Sequence, residues 1–240
     1  CHYCSYQADI PTVCPSCGGI HIRFQGVGTE RVENEVRRLF PGKVIIRMDS
    51  DTTSRRGSHE LLYRQFKEKK ASILVGTQMI AKGLDFPGVT LVGVITADTG
   101  LNLPDFRAAE RTFQLLTQVS GRAGRGTVAG RVIVQSYHPE QYCIQAASGH
   151  DYAAFYGEEM IRRERLGYPP YGDLIRFLLS GVEEKAVWEA AGFVTELLEN
   201  HGTGIVMGPA PAPLYRLKYQ YRLQIILKGR DLEKLAPEIK

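Results

Sequence analysis

Two pairs of cysteines near the N-terminus have the spacing of metal ligands. Cys1 and Cys4 form one Cys-x2-Cys pair, and Cys14 and Cys17 form a second pair after nine intervening residues. Each pair offers two thiolates to a tetrahedral ion such as Zn²⁺, with Zn–S distances near ~2.3 Å. Disulfides and free thiols are the alternatives; we expect zinc rather than disulfides because the sequence shows no secretory signal.

An arginine-glycine segment, residues 118–126, is the second chemical pattern. Its sequence is Gln-Val-Ser-Gly-Arg-Ala-Gly-Arg-Gly, so Arg122 and Arg125 lie on one turn or one helical face. The neighbouring glycines let the backbone come close to a ligand, and guanidinium groups suit the oxygens of a phosphoryl group in transfer. Passive phosphate binding and a simple turn remain open as alternatives.

A third pattern lies in residues 73–87, where a buried strand leads into a polar turn. The strand brings Gly76 and Thr77 to its carboxyl end, where a small residue and a hydroxyl can contact a nucleic-acid phosphate. Gly83 and Asp85 follow on a turn, and a carboxylate there can accept a hydrogen bond from a ribose hydroxyl. The alternative is a plain strand and turn with a capping aspartate.

Residues 215–230 combine cations and aromatic rings without any acidic residue. Such a mixture suits a nucleic-acid backbone whose bases stack on the rings. The alternative is a solvated edge strand that its charges protect from aggregation. The residues concerned are Tyr215, Arg216, Lys218, Tyr219, Tyr221, Arg222, Lys228 and Arg230.

The elements that must position these residues alternate between strand and helix patterns. This alternation is typical of an α/β fold with a parallel, doubly wound sheet, in which ligands bind beyond the carboxyl ends of the strands. Thr29 is predicted to be the N-cap of the first helix. The predicted strands are 22–27, 44–48, 72–75, 89–97 and 130–135, and the predicted helices are 30–40, 58–70 and 105–119.

The pattern changes near residue 145. Residues 146–167 predict a helical linker, which the run Gly-Tyr-Pro-Pro-Tyr-Gly at 167–172 ends. Residues 168–240 predict a small, truncated α+β domain, and residues 1–21 and 22–145 form the zinc-binding segment and the larger α/β domain. Within 168–240 we expect strands 174–180 and 221–228, a helix 184–200, a stiff turn 208–213 and a last helix that begins at Asp231.

Composition limits the possible functions. The hydrophobic fraction of 43% and charged fraction of 23% are those of a globular protein, so general disorder is excluded. The net charge of +4 permits a nucleic-acid partner without requiring one. No apolar run is long enough to cross a bilayer, and we expect no membrane partner. Because Cys1 already belongs to a motif and no initiator Met precedes it, we expect a piece of a longer protein.

Residues 73–87 and 118–126 resemble motifs V and VI of superfamily 2 helicases. Together with residues 26–32, 104–116 and 166–171 and the cysteine pairs, they resemble the C-terminal half of the PriA family of bacterial replication-restart helicases. The resemblance covers essentially the whole chain. It implies a second RecA-like helicase lobe in an ATP-dependent enzyme that moves 3′ to 5′ on DNA, recognises abandoned forks and promotes primosome assembly.

Roles for single residues follow from the same resemblance. Arg122 and Arg125 match arginines that reach the ATP phosphates, and Gln118, Gly83 and Asp85 match nucleotide-binding positions. Contacts with DNA are implied for Thr29, Thr77 and Gln78. The segment with Tyr215, Arg216, Lys218, Tyr219 and Arg222 is implied to bind DNA or the acidic, Phe-ended tail of single-strand DNA-binding protein. Forked and single-stranded DNA and primosome loading proteins are the further partners implied for a monomeric, cytoplasmic, nucleoid-associated protein.

The sequence departs from the family pattern in two ways. It lacks a Gly-x4-Gly-Lys-[Ser/Thr] loop and an acidic Mg²⁺ box, so we expect both in a first lobe upstream and no ATPase in this chain alone. The family carries eight zinc cysteines, of which this sequence holds two pairs, so structural zinc could regroup or be absent here. The rival hypothesis is a non-catalytic zinc-ribbon module that binds DNA or acts as a scaffold; an upstream P-loop would decide for the enzyme.

Overall fold

A computed structural model describes residues 12–13, 18–20, 28–81, 86, 88–103, 105–121, 123 and 129–232. The chain divides into two compact units. One comprises Cys1–Ile20, Leu103–Ala108 and Ala153–Lys240, and the other comprises His21–Asn102 and Ala109–Tyr152. We call them the C-terminal unit and the helicase-motif unit. None of the helices within the described ranges has the length and apolar character that a membrane span needs.

The helicase-motif unit is built from parallel strand pairs and helices. β1 pairs with β2, with Ile45 opposite Ile73, and β3 pairs with β4, with Leu91 opposite Arg131. The predicted parallel pairing is therefore confirmed, although the described strands form two two-stranded sheets rather than one sheet. The elements are α1 Thr29–Leu39, β1 Ile45–Met48, α2 Ser58–Lys67, β2 Ile73–Gly76, a 3₁₀-helix Gln78–Ala81, β3 Leu91–Val94, α3 Asp98–Leu101, α4 Ala108–Ser120, β4 Arg131–Val134 and α5 Tyr142–Ser148.

An apolar core holds β1 and β2 against α2. Met48 is fully buried and Phe86 nearly so, and the apolar face of α2 packs on them. Phe66 meets Phe86 edge to face at a centroid distance of 4.9 Å, a geometry that aromatic rings favour. The core thus fixes the direction of both strands, and with it the place where their carboxyl ends emerge.

A buried carboxylate joins the ends of β3 and β4. Asp98 accepts hydrogen bonds from the Ser136 hydroxyl at 2.9 Å and from the Tyr137 backbone N–H at 3.1 Å. Burial raises the pKa of Asp98, but these hydrogen bonds outweigh burial, so the pKa lies below its usual value. Asp98 is therefore a structural residue that ties two strand ends together.

The C-terminal unit contains an antiparallel sheet with one helix on its face. The strand order is β5-β7-β6, and the core between sheet and helix contains Val187, Ala191, Leu223 and Ile225. Because side chains alternate along a strand, only every second residue of β7 reaches this core. The elements are α6 Tyr152–Leu166, β5 Asp173–Gly181, α7 Glu184–His201, β6 Ile205–Leu217 and β7 Gln220–Gly229.

The predicted stiff turn at 208–213 is wrong, because these residues lie within β6. β6 is an edge strand in the described sheet, and register shifts occur between Met207 and Ala210 and between Pro211 and Arg216. Proline is tolerated on an edge strand and at irregularities, since the missing N–H then removes no ladder bond. Here the alternation of proline and alanine therefore belongs to an irregular edge strand and not to a turn.

The predicted N-cap is also wrong by one residue. α1 includes Thr29, and Gly28 is the N-cap. The hydroxyl of Thr29 donates to Asp49 instead of accepting from the helix, which explains the difference. The predicted strand 22–27 lies outside the described residues, as does the main part of the last helix, residues 233–240.

Candidate functional site

Eight of the predicted site residues lie outside the described residues: Cys1, Cys4, Cys14, Cys17, Gly83, Asp85, Arg122 and Arg125. The described part of the chain contains no cluster of three or more His, Cys, Asp or Glu side chains that could hold a metal. The structure describes the remaining predicted positions, which fall in two regions. Thr29, Thr77, Gln78 and Gln118 belong to the helicase-motif unit, and Tyr215, Arg216, Lys218, Tyr219 and Arg222 belong to the C-terminal unit.

Thr77 and Gln78 stand at the carboxyl ends of a parallel strand pair. Met48 and Gly76 are opposite each other at the ends of β1 and β2, so the segments that follow both strands emerge at one edge. A Cβ added to Gly76 would lie 2.3 Å from the Met48 carbonyl oxygen, so this close approach requires glycine. Thr77 and Gln78 follow immediately, and both are exposed. We call the ends of β1 and β2 and the segments that follow them the strand-end edge.

Asp49 connects Thr29 to the strand-end edge. It follows β1 directly, is 3% exposed, and accepts a hydrogen bond of 2.5 Å from the Thr29 hydroxyl. Burial raises the pKa of Asp49, but hydrogen bonds from Thr29 and Thr52 and the charge of Arg47 outweigh burial and hold the pKa below its usual value. The carboxylate is therefore ionised at neutral pH and holds the first residue of α1 beside β1.

Gln118 lies on the exposed side of α4, two residues before the helix ends at Ser120. The opposite side of this helix is buried through Phe113, Leu116 and Val119. The Gly121 N–H donates to the Thr117 carbonyl at 3.1 Å and closes the last turn. The arginine-glycine segment therefore begins in the last turn of α4 and continues beyond the helix.

A short hairpin turn presents two of the predicted residues of the C-terminal unit. Lys218 and Tyr219 connect β6 to β7, and both have positive φ, 51° and 64°. Two-residue hairpin turns of this kind favour Asn and Gly because L side chains rarely adopt positive φ. Tyr219 is nevertheless 83% exposed, so a large ring projects from a turn whose backbone does not favour it. Strained positions of this kind are frequent at functional sites.

A cavity of about 770 Å³ lies beside this hairpin. Arg216 stacks over the Tyr221 ring at 5.1 Å, and Tyr215 meets the same ring edge to face at 5.6 Å. The Tyr215 hydroxyl donates to the Glu184 carboxylate; this hydrogen bond and burial raise the pKa of Tyr215. The cavity is lined by Val182, Glu183, Glu184, Lys185, Trp188, Arg216, Tyr219 and Tyr221, and we call it the hairpin cavity.

The structure separates the predicted residues of this region. Arg216 and Tyr219 line the hairpin cavity, and Tyr215 supports its wall, whereas Lys218 and Arg222 do not line it. Arg222 alternates with Tyr221 along β7 and therefore points to the other face of the sheet, where it donates to the Leu214 carbonyl at 3.4 Å.

Sequence reasoning missed the helical side of the hairpin cavity. Trp188 was not among the predicted site residues, yet it is 37% exposed and lines the cavity together with Glu183, Glu184 and Lys185. The four-residue spacing of Glu184 and Trp188 places them on one helical face, a signal that the sequence does contain.

Two family models match the chain. The helicase conserved C-terminal domain matches residues 28–127, and the primosomal protein N C-terminal domain matches residues 164–240. The first range contains all described strands of the helicase-motif unit except β4, and the second contains the whole antiparallel sheet with α7.

Curated relatives match along nearly the whole chain. The replication restart protein PriA of Bacillus subtilis is 50% identical over 242 residues, which are 100% of this chain and 30% of the relative. The proteins of the same name from Synechocystis (46% identical; 95% of this chain, 28% of the relative) and Chlamydia pneumoniae (41%; 100% and 34%) are similar in turn. The chain spans about a third of the length of these relatives. The two family models and these relatives together show that the chain belongs to the family of replication restart proteins PriA.

Proposed function

We propose that the chain forms the second motor lobe and the C-terminal domain of an ATP-dependent DNA helicase that acts 3′ to 5′ in replication restart. The observation that carries the proposal is the overlap of the helicase family model, residues 28–127, with the strand-end edge of the structure. We use "complete protein" for the proposed longer chain, in which these 240 residues follow a first motor lobe.

Single-stranded DNA is the proposed ligand of the strand-end edge. Thr77 and Gln78 are exposed there and offer a hydroxyl and an amide to phosphate oxygens. The amino end of α1 adds backbone N–H groups, which favour anions through their partial positive charge. Contacts of this kind bind the DNA backbone without reading its sequence, as a motor that moves along any strand requires.

ATP is the proposed ligand of a second set of residues. The chain carries basic and polar residues for the phosphates, Arg122, Arg125 and Gln118, with Gly83 and Asp85 as further nucleotide contacts. Gln118 fits this role because it is exposed at the end of α4, directly before the arginines. Hydrolysis of ATP supplies the free energy of movement, and Mg²⁺ and the P-loop are proposed to reside in the first lobe. The arginines then neutralise phosphate charge.

ATP hydrolysis tests the proposal that the catalytic groups are divided between a first lobe and this chain. We expect the complete protein to hydrolyse ATP faster when single-stranded DNA is added, and this chain alone to show no hydrolysis above background, because the sequence has no P-loop lysine. The measurement is steady-state phosphate release at increasing oligonucleotide concentration. DNA-stimulated hydrolysis by the purified chain alone, lost in Arg122→Ala, would overturn the proposed division.

Structural Zn²⁺ is the proposed ligand of Cys1, Cys4, Cys14 and Cys17. Four thiolates saturate a tetrahedral ion and leave no position for a reactive water, so the proposed role is a folded platform for DNA or primosome loading proteins. The support is the donor set and its spacing in the sequence.

The hairpin cavity is proposed to bind the acidic, Phe-ended tail of single-strand DNA-binding protein. Arg216 and Lys185 offer cations to carboxylates, and Trp188, Tyr219 and Tyr221 offer aromatic surface to an apolar side chain. Glu183 and Glu184 line the same cavity. Two carboxylates would repel phosphates and acidic side chains alike, so the proposed binding rests on a carboxylate at Arg216 and on contact of the Phe ring with the aromatic side chains.

A peptide titration tests the hairpin cavity. We expect Arg216→Ala to weaken binding of a fluorescent peptide with an acidic, Phe-terminated sequence by about 10- to 100-fold, because a charge-assisted hydrogen bond contributes roughly 1.5–3 kcal/mol. Lys218→Ala is the matched control, since it removes one cation from the same hairpin outside the cavity. Equal losses in both variants would show that net charge, not the cavity, binds the peptide.

A further inference from the structure

The loop that follows β1 contacts both the start of α1 and the segment that follows β2. At one side, Asp49 accepts a hydrogen bond from the Thr29 hydroxyl at the start of α1. At the other, the Thr53 hydroxyl lies 3.6 Å from the sulfur of Met79, in the 3₁₀-helix that Gln78 begins. Thr53 also donates to the Asp49 carbonyl at 2.5 Å, so the two sides of the loop are connected. The loop thus joins the segments whose residues are proposed to contact DNA.

Both carboxylate oxygens of Asp49 are engaged. Oδ1 accepts from the backbone N–H groups of Asp51 at 3.1 Å and Thr52 at 3.0 Å and from the Thr52 hydroxyl at 3.1 Å. Oδ2 accepts from Thr29 and lies 3.2 Å from Arg47 Nε. Asp49 is 3% exposed, and its two oxygens already accept from the partners named above. The carboxylate therefore has no acceptor position left for DNA or for a metal ion. Asp49 therefore acts through its neighbours.

The contact with Asp49 determines how α1 begins. Because the Thr29 hydroxyl donates to Asp49 and the N-cap is Gly28, no side chain caps the first turn of α1. The Arg31 N–H donates to the Gly28 carbonyl at 3.0 Å, whereas the N–H groups of Thr29 and Glu30 have no acceptor within the helix and can face an anion. Asp49 thus holds Thr29 in place while leaving the amino end of α1 open.

We infer that Asp49 is a positioning residue for DNA binding, which holds the amino end of α1 and the segment after β2 in the arrangement that binds one DNA strand. The inference rests on the DNA contacts proposed for Thr29, Thr77 and Gln78. Arg47 takes part, since its Nε lies between Asp49 Oδ2 at 3.2 Å and Glu33 Oε2 at 3.6 Å. An amide in place of the carboxylate would lose the ion pair and would present a donor to the Thr29 hydroxyl or to the loop N–H groups.

DNA-stimulated ATP hydrolysis by the complete protein tests the inference. For Asp49→Asn we expect the oligo-dT concentration that gives half-maximal stimulation to rise about tenfold or more, since hydrogen bonds to charged groups contribute that much. The rate at saturating oligo-dT should stay near wild type, because Asp49 is not proposed to touch ATP. Asp51→Asn is the matched control: it makes the same change two residues away on an exposed side chain.

Thr29→Val provides a second approach that keeps the buried carboxylate. It removes the hydroxyl of Thr29, the partly exposed partner of the contact. Like Asp49→Asn, it should raise the half-maximal oligo-dT concentration. If Asp49 acts through Thr29, the double variant should be affected no more than the stronger single variant. Melting temperatures of all variants separate positioning from lost stability.

Three outcomes would overturn the inference. Full additivity of the two substitutions would show that Asp49 and Thr29 act separately. An unchanged half-maximal oligo-dT concentration in Asp49→Asn or in Thr29→Val, with or without a lower melting temperature, would leave Asp49 a purely structural residue. If oligo-dT did not stimulate hydrolysis by the wild-type complete protein, the proposed function itself would fail. If oligo-dT stimulated the wild type and the variants equally, only the inference about Asp49 would fail.

Discussion

Alanine at Arg122 or Arg125 of the complete protein should lower kcat for DNA-stimulated ATP hydrolysis by a factor of about 10³–10⁵, the range that arginine fingers contribute in comparable phosphoryl-transfer enzymes. A guanidinium group stabilises charge that builds on phosphoryl oxygens in the transition state, and no other group of the lobe is proposed to replace it. Single-stranded DNA affinity should stay close to wild type, because the DNA contacts are proposed at the strand-end edge.

Arg111→Ala is the control for this prediction. Arg111 is an exposed arginine of α4, about two turns before the arginine-glycine segment, and its loss changes the charge of the lobe equally. The measurements are steady-state kcat and the anisotropy of a labelled oligonucleotide. Wild-type turnover combined with lost DNA affinity in the Arg122 and Arg125 variants would make both residues DNA contacts instead.

Zinc should be lost from the complete protein when Cys14 and Cys17 are both replaced by serine. Structural zinc commonly contributes about 10–16 kcal/mol of apparent binding free energy, so removal of two thiolates should release the ion and unfold residues 1–21. ATP hydrolysis should change little, because the proposed site saturates its metal and lies outside the motor. Elemental analysis and hydrolysis rates of the same samples give both results.

Cys143→Ala is the matched control for the zinc prediction. Cys143 is fully buried in α5, so its replacement alters the cysteine count without touching the paired cysteines. Zinc content unaffected by Cys14→Ser with Cys17→Ser would rule out the site. If the double serine variant lost both zinc and all DNA-stimulated hydrolysis, the zinc-binding segment would be required for the motor.

The periodicity of the sequence was sufficient for most of the fold. Parallel pairing followed from alternating strands and helices, and β5, α7 and β7 of the C-terminal unit were predicted with ends within a few residues, whereas β6 was not predicted as a strand. The prediction of a turn at residues 208–213 was wrong because proline and glycine are typical of turns, whereas an irregular edge strand also tolerates both. Local sequence cannot show which strand lies at the edge of a sheet, since that depends on distant pairing.

The candidate sites could be predicted where one segment carries them and not where two segments meet. Thr77 and Gln78 could be named as candidate contacts because they come directly after a strand, and the structure shows both exposed there. Asp49 was not among the predicted site residues, because its bond to Thr29 spans 20 residues of sequence. Trp188 was missed for the same reason, because the hairpin cavity forms only when α7 packs beside β6 and β7.

Strand displacement by the complete protein tests the central claim most directly. A labelled duplex with a 3′ single-stranded tail, a matched duplex with a 5′ tail and a blunt duplex are each mixed with the protein and ATP, and the released strand is measured over time. A 3′ to 5′ motor should release the strand from the 3′-tailed duplex, only with ATP, and Arg122→Ala should abolish the release. Binding of all three substrates without ATP-dependent release would contradict the claim and would favour a non-catalytic DNA-binding module.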